Sequence, residues 1–139
     1  MLKDVDVKVV RGIVNAVGER GVDWLYPDEW RDYGGYAQSE FGGTCQNLLN
    51  DGSPACIIGF IAVDQGLPTF QETNATSDAE LWNDSHSIGD AMLAAQKVQD
   101  DRLSWGRAGE AFFAKLSEAT EMSVDEICVA ADVVRPEWL

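Results

Sequence analysis

Apolar residues at Val10, Ile13, Val14 and Val17 follow the i, i+3, i+4, i+7 spacing of one helix face. They predict an amphipathic helix over 4–19 that ends near Gly21. Its first residues also fit a strand, because Val5, Val7 and Val9 alternate with Asp6 and Lys8. The longer pattern, running on through Val17, favours the helix. Residues 22–26 (VDWLY) read as a short strand stopped by Pro27. Residues 44–49 (TCQNLL) read as a second strand, closed by the turn residues Asn50-Asp51-Gly52. Ser53-Pro54 then reads as a helix start, with a Ser cap and Pro in the first helical position. The helix should run through IIGFIAVDQ to Gly66, with Pro68 beyond it. Ile57, Ile58, Phe60, Ile61 and Val63 leave it little polar face, which predicts a buried central element.

Residues 69–76 form a polar linker, and Ser77 and Glu80 stand in capping-box spacing ahead of one or two helical turns that end at Asp84. A long helix follows over about 86–102, with Ile88, Met92, Ala95 and Gln99 on one face. Ser104 caps the next helix, whose stripe is Trp105, Ala108, Phe112 and Leu116; the short link makes the two an antiparallel hairpin. Ser123 and Glu126 cap a last helix through Val134, before Pro136. The predicted fold is therefore α+β and mostly α: four or five helices around a buried central helix, plus one short two-stranded β-hairpin. Residues 1–139 fit one domain, in which the Gly- and aromatic-rich stretch 27–43 (PDEWRDYGGYAQSEFGG) reads as an inserted loop.

Composition changes this picture mainly through charge. Ten basic residues face 24 acidic ones, a formal net charge of −14, and the excess is spread along the whole chain without an acidic block. Such a field repels nucleic acid and anionic lipid and attracts cationic partners over a Debye length of about 8–10 Å. Direct nucleic-acid binding is set aside on that ground. No run of about 18 apolar residues is present for a membrane span, and Asp4 and Asp6 interrupt the stretch where a signal peptide would be apolar. The expectation is a soluble, cytoplasmic protein. Cys45, Cys56 and Cys128 are odd in number and lack a CxxC pair, which argues against a disulfide framework and a zinc ribbon and for reduced thiols.

One string carries a resemblance. Cys45…Asp51-Gly52-Ser53-Pro54-Ala55-Cys56-Ile57-Ile58-Gly59 resembles a strand, Gly turn and helix pattern found in small proteins of actinobacteria and their phages. A second block, Ala95-Gln96 to Gln99-Asp100 followed by Trp105-Gly106 and Ala108, resembles their C-terminal half. Two departures stand out: Asn47 occupies a position that is often aromatic, and Phe60 one that is often His. The resemblance implies a phage or actinobacterial origin and a shared architecture, and brings no chemistry with it.

Two regions offer themselves as sites. Cys56, near a helix start, could be activated as a thiolate by the helix N-terminus, with His86, the only histidine, as its base. Against this stand its neighbours Ala55, Ile57 and Ile58, which point to an inert core thiol. A Cys₃His metal set of Cys45, Cys56, Cys128 and His86 has no zinc-finger spacing, so no metal or cofactor is expected. Carboxylate pairs such as Asp100/Asp101 are what 24 acids produce by chance. In the loop, Trp30, Tyr33, Tyr36 and Phe41 alternate with Gly34, Gly35, Gly42 and Gly43. They either fold back to roof a small core or form a contact surface of the kind that carries binding hot spots. The expectation is a non-enzymatic protein that binds a host or phage protein or itself, as a monomer or homodimer. The alternatives are an acidic mimic of nucleic acid that blocks a DNA-binding or defence protein, and a thiol-dependent enzyme using Cys56.

Overall fold

The computed structural model describes residues 2–31, 48–49, 51–68 and 86–139. Helix α1 spans Asp4–Arg20 and the one-turn α2 spans Asp28–Arg31; α3 is Ile57–Gln65, α4 His86–Asp100, α5 Trp105–Thr120 and α6 Val124–Ala130. The predicted periodicities appear as buried faces. Val10, Ile13 and Val17 of α1, Ile88, Met92 and Ala95 of α4, and Trp105, Ala108, Phe112 and Leu116 of α5 all lie in one core. Helix α3 is its centre, buried from Ile57 through Ala62. A Cβ built on Gly12 would stand 2.7 Å from Ile61 Cγ2, so α1 rests on α3 at a distance only glycine allows.

Helices α4 and α5 pair as the predicted antiparallel hairpin. Ser104 caps α5, its Oγ accepting from the Arg107 N–H at 3.3 Å. Ser123 and Glu126 form the predicted capping box on α6, with Glu126 Oε1 accepting from Ser123 N–H at 3.0 Å and Ser123 Oγ from Glu126 N–H at 3.1 Å. At the other end of the chain, Asp6 is buried and its Oδ2 accepts from Lys3 N–H at 2.9 Å.

The predicted β-hairpin finds no support among the described residues. Among the described residues no strand forms, and the one pairing is an isolated antiparallel bridge between Leu48 and Pro54. Residues 22–26 open instead with a turn, Trp24 N–H donating to Gly21 O at 3.2 Å, and the carbonyls of the segment serve a helix. Val22 O accepts from Gly106 N–H at 3.0 Å and Trp24 O from Trp105 N–H at 2.9 Å. These amides belong to the first turn of α5, whose N–H groups have no acceptor within the helix. The segment is thus a strap across the α5 N-terminus. A Cβ on Gly106 would meet Val22 O at 2.6 Å, which is why the strap can lie so close.

Two helix boundaries also move. Ser53-Pro54 does not start α3, because Asp51 Oδ1 accepts both the Ser53 N–H at 2.9 Å and its hydroxyl at 2.6 Å, holding the pair in a turn. The helix begins three residues later, with Cys56 as its N-cap. Helix α6 stops at Ala130 instead of Val134. Asp132 adopts φ 55°, and Val133 N–H reaches back to Cys128 O at 3.0 Å, a left-handed stop of the kind usually made by glycine. Arg102 (φ 65°) ends α4 in the same way, with Leu103 N–H on Val98 O at 3.2 Å.

Candidate functional site

The last turn of α1 delivers Arg20 into a group of aromatic rings. Its guanidinium carbon lies 4.5 Å from the ring centre of Trp24, 4.7 Å from Trp105, 5.4 Å from Phe60 and 5.6 Å from Trp30. Its two terminal nitrogens are spent on backbone: one donates to Ala55 O at 2.7 Å, the other to Pro54 O at 2.8 Å. Burial pushes this guanidinium down from its ordinary range, with the charges of Glu19 and Tyr26 acting the other way. The arrangement joins α1, the strap, the entry to α3 and the start of α5 through one side chain. A desolvated cation over aromatic faces gains about 2 kcal/mol or more, and the planar fork suits two adjacent carbonyls in a way a lysine cannot.

The rings also hold one another. Trp24 meets Trp105 at 4.5 Å and 69°, Tyr26 meets Trp30 at 5.7 Å and 78°, and Phe60 meets Trp105 at 6.0 Å and 85°, all tilted or edge-on as their quadrupoles prefer. Beneath them, Gln99 is fully buried. Its Oε1 accepts from the Ile57 N–H at 2.9 Å and from the Trp105 indole N–H at 3.1 Å. One amide oxygen therefore closes the N-terminus of α3 against both α4 and α5.

Of the loop aromatics singled out in the sequence, Trp30 is half-buried on this roof, while Tyr33, Tyr36 and Phe41 lie outside the described residues. Arg20 was not legible as a site residue; the only hint was its place at the end of an apolar stripe. Gln99 left a clearer one, a polar residue in line with Ile88, Met92 and Ala95.

Cys56 is the larger correction. It is fully buried, and it is disulfide-bonded where a reduced thiol was expected. An odd number of cysteines forbids complete pairing but leaves room for one pair. Cys128 is the free, buried thiol, its pKa pushed up by burial against the opposing charge of Arg135. The remaining cysteine, Cys45, lies outside the described residues. A disulfide removes Cys56 as a resting nucleophile and as a thiolate ligand in the Cys₃His set. It also takes away the cysteine argument for a reducing compartment.

Outside the roof, the strap and the α4–α5 turn carry exposed apolar side chains: Val22 (42 % exposed), Leu25 (55 %) and Leu103 (47 %). The strap-to-α5 bonds and the Arg102–Asp28 ion pair at 3.2 Å place them on one side of the molecule, next to exposed Asp23, Asp28 and Asp101. Carboxylates elsewhere are exposed on every element, as at Asp4 on α1, Asp64 on α3, Asp90 on α4, Glu110 on α5 and Asp125 on α6. No helix among the described residues is long and apolar enough to cross a membrane. In comparisons with known proteins, no family model, no curated protein and no solved structure matches this chain.

Proposed function

We propose that this is a non-enzymatic interaction protein, phage-encoded as its sequence blocks suggest, which binds a protein partner through the strap face formed by Val22, Leu25 and Leu103. The observation that carries the reading is the contrast between that face and its support. Three exposed apolar side chains sit on a backbone fixed by the Arg20 fork, the Gln99 clamp and the aromatic roof. A surface held this way binds with little ordering cost. Asp23, Asp28 and Asp101 at its edge and the −14 net charge suit a partner with an apolar centre and a basic rim. Self-association through the same face is the homotypic form of the same reading.

The test compares wild type with a Leu25→Glu/Leu103→Glu variant of unchanged circular dichroism. The two are used to capture partners at low and high salt, and light scattering records self-association. Expected is a partner, or a dimer, that wild type holds and the variant loses by about tenfold or more, with weaker binding at high salt. Equal capture by both proteins, or capture indifferent to salt, would overturn the proposed face.

A further inference from the structure

We infer that the segment after α6 is an exchangeable arm, and that two copies of this chain pair by seating Trp138 of each in the slot over Gly109 of the other. The slot is fitted to an indole. A Cβ on Gly109 would stand 2.6 Å from two ring atoms of Trp138 and 3.3 Å from Val17 Cγ2. The ring therefore fills the place where any other side chain of α5 would stand, beside α1. Phe113 meets it edge-on at 6.2 Å and 65°. Arg135 stiffens the arm, donating through Nε and Nη2 to Leu139 O at 3.2 and 2.9 Å. Through Nη1 it ties the arm to Asp125 Oδ1 of α6 at 2.9 Å. That ion pair is exposed, a contact worth little in water.

The hinge works against the closed form. Ile127, Ala131 and Val134 stand at i, i+4 and i+7 and would continue one helical stripe. The chain instead turns at Asp132, an exposed residue with φ 55°, and leaves Val134 89 % exposed. Left-handed backbone is costly for a residue that carries a Cβ. Straightening the hinge removes that cost and brings Val134 into line with the buried Ile127 and Ala131. Pro136 then stops the helix, and Trp138 is carried away from its own slot.

A second copy in the same state has a slot to fill and an indole to seat. Reciprocal exchange restores both Trp138 contacts without the strained turn. Exchanging an identical element in this way is a low-cost route to a dimer. This pairing uses none of Val22, Leu25 and Leu103, and so stands apart from the strap face.

The experiment follows the full chain by light scattering over a wide range of concentration, beside variants of retained circular dichroism. Asp132→Gly accepts the turn freely and should weaken dimerisation about tenfold or more. Asp132→Ala resists the turn and favours the helix, and should strengthen it by about as much. Trp138→Ala, which lacks the indole, and Gly109→Leu, which fills the slot, should each stay monomeric. Mixed in equal amounts, these two should form a heterodimer, since one keeps the slot and the other the indole. Leu25→Glu/Leu103→Glu should keep this dimer, whatever it loses of other partners. Wild type and Asp132→Ala both remaining monomeric would overturn the inference. So would a dimer that Trp138→Ala retains, or a mixture of Trp138→Ala and Gly109→Leu without heterodimer.

Discussion

The α4–α5 hairpin and the strap-and-roof region use the same kinds of residue and are held in different ways. The hairpin is made of two long periodic helices, each burying a stripe of apolar side chains and stopped or started by its neighbours in sequence. The roof brings together residues far apart in the chain through a few polar ties: Arg20 to Pro54 and Ala55, Gln99 to Ile57 and Trp105. Loss of one contact in a stripe is shared among many neighbours, whereas loss of one tie leaves named buried groups without partners. The roof should therefore come apart locally, and the hairpin only with the whole protein.

The comparison can be broken from the hairpin side first. Phe112 is fully buried and stacks edge-on against Phe113 at 5.4 Å. Phe112→Ala should cost about 3–5 kcal/mol, and chemical denaturation should show it as one cooperative loss in every probe. A smaller but still large effect is expected where the two regions meet. Gln99→Leu fills the same space but strips acceptors from two buried donors, Ile57 N–H and the Trp105 indole, at about 1–3 kcal/mol each. Denaturation should report the loss, and the Trp105 indole proton should shift in the NMR spectrum.

At the far end, α6 offers a milder test. Ser123→Ala removes an N-cap and should lower stability by about 1 kcal/mol, with no change at the roof. The hydrogen bonds that Glu126 accepts, from the Ser123 amide first and its hydroxyl second, hold its carboxyl below the usual carboxylate range. A carboxylate depressed in the folded state stabilises above its unfolded pKa, and that contribution is lost as pH falls through the folded value. Glu126→Gln should thus differ from wild type at neutral pH and converge with it in acid. The smallest expected effect is a gain: Glu121 holds φ 59° at the end of α5, so Glu121→Gly should stabilise by roughly 0.5–1 kcal/mol, read as a higher melting temperature.

The same contrast explains what the sequence could tell. The helix cores were legible because periodicity is local: α1, the buried α3, and the stripes of α4 and α5 follow from spacing alone, as do the Ser104 and Ser123 caps. The errors fall where a long-range partner or an unusual stop decides. Residues 22–26 have the composition of a strand, but their carbonyls are claimed by amides more than eighty positions along the chain. Ser53-Pro54 has the form of a helix start, but Asp51 captures the serine first. The ends of α4 and α6 were placed too late because Arg102 and Asp132 take a left-handed conformation that sequence reading expects of glycine. As for the candidate site, Trp30 was singled out, whereas Arg20, to which it is drawn, gave no local signal. The Cys56 bond was hidden behind an odd cysteine count.

The central claim is that Arg20 organises the roof as a region separable from the helical body. It is tested most directly by native-state hydrogen exchange of Arg20→Met, which keeps the apolar stem and removes the fork. Expected is faster exchange, by about tenfold or more, at Trp105 and Gly106 as the strap loosens, with Phe112, Phe113 and Leu116 as protected as in wild type. Equal acceleration at both sets of amides, or none at Trp105 and Gly106, would contradict it.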